Sequence, residues 1–124
     1  MKPSYKDWLQ KAENDLDSAK VLVNNDIFDT AIYHTQQAAE KALKGFLVYK
    51  TNSIKRTHDL EVLIDICGEQ DKEFYDLVEL AEELSPYAVE FRYPAQIPEP
   101  EKKDVLEAIE KAAKILELVK RKLD

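Results

Sequence analysis

The sequence predicts an all-α fold, an up-and-down bundle of four main helices plus one short helix, and two observations carry that prediction. Only two glycines, Gly45 and Gly68, occur in 124 residues, and no Asn-Gly or Asp-Gly pair is present to turn a hairpin. Apolar residues recur at spacings of three and four, the period of one helix face rather than the alternation of a strand.

The first helix begins after Ser4, an N-cap residue, and buries Trp8, Ala12, Leu16, Ala19 and Val23 until the polar run Asn24-Asn25-Asp26 stops it. The second runs from about Ile27 to Tyr49. Its four alanines permit close approach of a neighbour, so it is expected to be the central helix. Lys50 to Thr57 reads as a polar loop, with Thr57 capping a short third helix that buries Leu60, Leu63, Ile64 and Cys67 and closes at Gly68. A fourth helix spans about Asp71 to Leu84 on the stripe Phe74, Leu77, Val78, Ala81 and Leu84. Pro86 interrupts it, and PYAVEFRYPAQIPEP, with four prolines, is expected to be a loop with aromatic anchors. The last helix starts near Pro100 or Glu101, acidic in its first turn and basic at Lys120, Arg121 and Lys122, as the helix dipole favours. Its stripe is Val105, Ala108, Ile109, Ala112, Leu116, Val119 and Leu123.

With 44% hydrophobic and 35% charged residues, the chain suits one domain, 1–124. A domain of that size buries about two-thirds of its unfolded surface. The single cysteine, Cys67, excludes an internal disulfide and sits on an apolar helix face, so it reads as a small core residue in a reducing cytoplasm. No apolar run approaches the length of a membrane span, and MKPSYKDWLQ lacks a signal-peptide stretch, so a soluble cytoplasmic protein without membrane contact is expected. A net charge of -7 argues against a broad nucleic-acid coat and leaves room for a small local basic patch.

The stretch AIYHTQQAAEKALKGFL carries two messages. Phe28, Ala31, Ala38, Ala39, Ala42 and Phe46 gather on one side at about 100° per residue, and His34, Gln37, Lys41 and Lys44 gather roughly opposite. An imidazole, an amide and two ammonium groups suit phosphate binding or activation of a hydroxyl; a solvated helix face is the bland alternative. Against the latter, a position kept only for solvation is better served by Glu, Lys or Gln than by His. His58, in KRTHDL, stands where a helix starts beside Arg56 and Asp59, as either a first-turn residue with a local partner or a functional one. Tyr87, Phe91, Arg92 and Tyr93 set a bidentate donor among aromatics, fit to stack on a base, to meet a partner or to pin the loop to the bundle. Two histidines and one buried cysteine form no ligand set, and no Gly-rich phosphate loop or Ser-His-Asp spacing stands out, so no metal and no cofactor are expected.

Taken in order, AIYHTQQAAEKALKGFL, THDLEVL and SPYAVEFRYP before an acidic-starting last helix resemble the HEPN domain (higher eukaryotes and prokaryotes nucleotide-binding), in its small stand-alone prokaryotic branch, over nearly the whole chain. The resemblance implies an all-α bundle that forms a homodimer and is often paired with a minimal nucleotidyltransferase in a toxin-antitoxin-like module. Many such proteins are metal-independent ribonucleases whose signature is an Arg separated from a His by four to six residues. This chain lacks that signature: no Arg precedes His34, Arg56 is separated from His58 by a single residue, and no His follows Arg92. The expectation is therefore a nucleotide- or partner-binding component. Lys41, Lys44 and Arg92 would contact phosphate, His34, Gln37 and His58 make polar contacts, and Tyr33, Tyr87 and Tyr93 stack or pack. The alternative is a ribonuclease toxin with a non-standard pair drawn from His34, His58 and Arg92.

Overall fold

Ser4 starts the bundle. Its hydroxyl accepts the Asp7 amide at 3.3 Å while the Asp7 carboxylate accepts the Ser4 amide at 2.9 Å, a reciprocal capping box that opens α1 (Tyr5–Asn24). Ser4→Ala is expected to cost about 1 kcal/mol, seen as a lower denaturation midpoint with an unchanged slope. The computed structural model describes residues 3–89, 94 and 98–123, and among these there are five α-helices and no strand.

Asp26, with φ 60°, reverses the chain into α2 (Phe28–Thr51). Ala31, Ala38, Ala39 and Ala42 are fully buried, as the central position requires, and α2 packs against all four other α-helices. At Gly45 a Cβ would lie 3.2 Å from Trp8 Cβ and 3.5 Å from the Tyr5 carbonyl oxygen, so α1 crosses α2 where any side chain would push the two apart. α2 runs two residues past Tyr49 because Asn52, left-handed at φ 53°, closes it with an N–H bond to the Val48 carbonyl at 2.8 Å.

The third helix departs from the sequence expectation at both ends. Asp59 rather than Thr57 caps α3 (Leu60–Gln70), accepting the Glu61 and Val62 amides at 2.9 and 3.3 Å, while the Thr57 hydroxyl accepts the Asp59 amide. Gly68 lies inside α3 and does not close it. A Cβ there would run into the Tyr75 ring, so the glycine admits a tertiary contact, and extended Asp71 ends the helix. The expected helix over 71–84 divides. Asp71 caps a 3-10 segment, Lys72–Leu77, followed by α4 (Val78–Leu84) and a 3-10 turn, Ser85–Ala88, that contains Pro86. The core receives Phe74 from the tighter segment, its ring 4.3 Å from that of Phe46.

α5 (Lys102–Leu123) begins after Glu101, whose amide donates to the Asp104 carboxylate at 2.9 Å. Its buried stripe gains Ile115 and Leu118, while Leu123 is only partly buried. Ion pairs from Lys120 to Glu13 and from Lys111 to Glu83 tie α5 to α1 and α4. Lys122 reaches Asp71 and Glu73 at 2.9 and 2.8 Å. Cys67 is fully buried, its thiol directed at the Leu43 carbonyl at 3.7 Å and its pKa pushed up to about 12 by burial, which makes it a core group and not a nucleophile.

Candidate functional site

The polar side of α2 is built around two buried carboxylates, Asp15 from α1 and Glu40 from α2 itself. Asp15 lies three residues after Ala12 and four before Ala19, on the inward face of α1, and is 8% exposed. Its Oδ1 accepts His34 Nδ1 at 2.8 Å and its Oδ2 accepts Lys41 Nζ at 2.6 Å. An ionised carboxylate only accepts, so the Nδ1 proton is turned to Asp15 and Nε2 is the atom left for a ligand. The Tyr33 ring meets His34 edge to face, 5.6 Å between centroids. His34 also lines an open groove of about 490 Å³ with Asn14, Asp17, Ser18, Val21 and Leu22.

Glu40 is 3% exposed. Its Oε2 accepts Lys44 Nζ at 2.9 Å and His58 Nδ1 at 3.0 Å, and its Oε1 accepts Gln36 Nε2 at 3.3 Å. Gln36 Nε2 also donates to the His58 carbonyl at 3.2 Å, and Gln37 Nε2 donates to Gln36 Oε1 at 2.7 Å. Burial pushes the Glu40 carboxyl upward, yet the hydrogen bonds from Lys44, His58 and Gln36 and the Lys44 charge together hold it below the ordinary glutamate range. The Lys44 ammonium is buried with Glu40 and stands 5.9 Å over the Trp8 ring. His58 is tethered at Nδ1 with most of its ring in solvent.

The structure thus gathers His34 and Lys41 around Asp15, with Tyr33 alongside, and Lys44 and His58 around Glu40, with Gln37 joined through Gln36. Tyr87 packs against the core from the 3-10 turn. Arg92 and Tyr93 lie outside the described residues. Sequence spacing passes over Asp15, Gln36 and Glu40, although two signals were available. Asp15 interrupts an apolar stripe, and Glu40 stands four residues from both Gln36 and Lys44, the interval of helix neighbours. Among the described residues no group of three His, Cys, Asp or Glu side chains is arranged to hold a metal, and no helix is long and apolar enough to cross a membrane.

Each imidazole is fixed through Nδ1 by a carboxylate that also holds an ammonium, so each can exchange a proton at Nε2, and His34 with Lys41 can meet phosphate charge. Because Lys41 is already paired, a phosphate near it would share the cation with Asp15, whereas the Lys44 ammonium is buried against Glu40 and does not face solvent.

The HEPN domain family matches residues 5–122 of this chain. MJ1304 of Methanocaldococcus jannaschii, named as a candidate toxin, is 29% identical over 127 residues, covering 91% of this chain and 84% of that protein. The crystal structure of TT1696 from Thermus thermophilus is 31% identical with a TM-score of 0.86, over 95% of this chain and 97% of its own. ST0689, described as an archaeal HEPN homologue, is 28% identical with a TM-score of 0.81, over 99% and 100%. With the family match spanning α1 through α5 and the same all-α architecture in these structures, the chain belongs to the HEPN domain family.

Proposed function

We propose that this HEPN chain is the nucleotide- or partner-binding component of a toxin-antitoxin-like module, working as a homodimer with a minimal nucleotidyltransferase as its partner. The observation that carries this is the pair of buried carboxylates, each holding one imidazole and one ammonium along α2. Desolvating such charges is costly, and a packed apolar seam would hold the helices as well, so stability alone supplies no reason for them. The toxin name of MJ1304 supports the same class. His34 and His58 offer Nε2, Lys41 supplies shared positive charge, Gln37 adds an amide, and Tyr33 and Tyr87 stack or pack. Calorimetric titration with nucleotides, and separately with the nucleotidyltransferase encoded beside it, is expected to give saturable heat with at least one. Silence with both would overturn the proposal.

A second reading, a metal-independent ribonuclease, is favoured by one specific observation: the 2.8 Å Asp15–His34 contact, the arrangement that orients a general acid or base. Here Nε2 of a neutral imidazole takes the proton of an RNA 2′-hydroxyl as its oxygen attacks the adjacent phosphorus. The 5′-oxygen then leaves with a proton from an imidazolium. Cutting that persists in chelator and vanishes in His34→Ala is the expected result; undiminished cutting in that variant assigns the activity to a contaminant.

A further inference from the structure

Charge is distributed unevenly in this acidic protein. Residues 41–58 contain five of the 18 Lys and Arg residues and none of the 25 Asp and Glu residues. Lys41 and Lys44 are paired with Asp15 and Glu40, but Lys50, Lys55 and Arg56 make no ion pair among the described residues. The acidic group that faces Lys50 is Asp71, and Lys122 already occupies its carboxylate. The uncompensated cations therefore cluster at the C-terminal end of α2 and in the segment that leads to His58.

Aromatic surface accompanies them. Tyr49 is 44% exposed, its ring meets Tyr5 edge to face at 5.0 Å, and the Lys50 ammonium stands 5.8 Å from its centroid. Half-exposed aromatic rings beside unpaired cations suit a flexible polyanion whose bases are free to stack, which is single-stranded nucleic acid. A duplex hides its base faces, and an anionic lipid surface is met by an amphipathic helix with an exposed apolar face rather than by a polar connecting segment.

We propose that Tyr49, Lys50, Lys55 and Arg56 form a track for single-stranded RNA that leads to His58, with Tyr49 stacking a base and the three cations contacting successive phosphates. This goes beyond the functional reading above by naming a surface outside the α2 polar side and the route along it, and it rests on that reading only in placing His58 at the end of the track.

The test is equilibrium binding of a fluorescent oligouridylate of about a dozen nucleotides at several salt concentrations, without turnover. For the wild type, the log–log salt slope is expected to be about -2, the value for three neutralised phosphates on a single strand. The triple variant Lys50→Glu, Lys55→Glu, Arg56→Glu is expected to lose at least about tenfold in affinity and most of that slope, and Tyr49→Ala about tenfold with the slope retained. Tyr49, Lys50 and Arg56 are exposed and Lys55 is half-buried, so an unchanged melting temperature checks that the variants fold. Wild-type affinity in the triple variant would overturn the track, as would tighter binding to a duplex or to anionic vesicles than to the oligouridylate. His34→Ala separates the two claims. Binding lost there and kept in the triple variant removes the track and spares the α2 site; the reverse pattern spares the track.

Discussion

Glu40→Ala is expected to destabilise the fold by about 3–5 kcal/mol, the range for removing one partner of a buried ion pair. The cause is what stays behind: the Lys44 ammonium, 6% exposed and held between Glu40 and the Trp8 ring, would lose its counter-charge without gaining water. Gln36 and His58 would lose their shared acceptor at the same time. Chemical denaturation of the variant, with an unchanged slope, measures the loss. Glu40→Gln separates charge from shape. Because the folded protein holds the Glu40 carboxyl below its ordinary range, the stability that it adds is full above the unfolded value of about 4.3 and disappears as pH falls through the lower folded value. Wild-type stability should therefore fall on acidification below that point, and Glu40→Gln should flatten this limb. Joint replacement by Glu40→Met and Lys44→Met is expected to restore most of the stability while ligand binding stays lost, which a purely structural pair would not show.

The second large effect falls on function. Asp15→Asn preserves the side chain's shape but replaces an acceptor-only carboxylate with an amide that also donates, so His34 loses its fixed tautomer and Lys41 its full counter-charge. Affinity for a nucleotide is expected to fall at least about tenfold, the worth of one charge-assisted hydrogen bond. The denaturation midpoint should move less than in Glu40→Ala, because the Lys41 side chain is 26% exposed and regains solvent. If RNA is cut, Asp15→Asn should also displace the pH profile of cutting, which a merely structural aspartate would leave in place.

Local patterns were legible where local chemistry decides them. The Ser4 cap, the central alanines of α2, the buried Cys67 and most of the α5 stripe follow from spacing and capping alone. Thr57 and Gly68 misled for opposite reasons. Thr57 sits in the approach to α3, where its hydroxyl accepts the amide of Asp59, and Asp59 is the cap two residues later. Gly68 looks like a stop signal, but its missing side chain makes room for Tyr75 from the following 3-10 segment, a contact that the residues immediately around Gly68 do not reveal. That segment was hidden because Phe74, Leu77 and Val78 suit the inward face of either kind of helix. At the candidate site, His34, Lys41 and Lys44 stood out as unusual polar residues on a small-residue helix. Asp15 and Glu40 did not, since they are two of 25 acidic residues, and the signals they carry, a place on the apolar stripe of α1 and a four-residue spacing from Gln36 and Lys44, name no partner on another element.

Under the proposed function the α2 polar side is a ligand site built on Nδ1-tethered histidines, and imidazole resonances would report on it directly. Nuclear magnetic resonance of the histidine rings, recorded while a nucleotide or a short oligoribonucleotide is added in the presence of a chelator, is expected to show saturable shifts at His34 and His58 centred on Nε2. Asp15→Asn should weaken the His34 response. Histidine resonances that stay in place throughout the titration, in a protein that remains folded, would contradict the account.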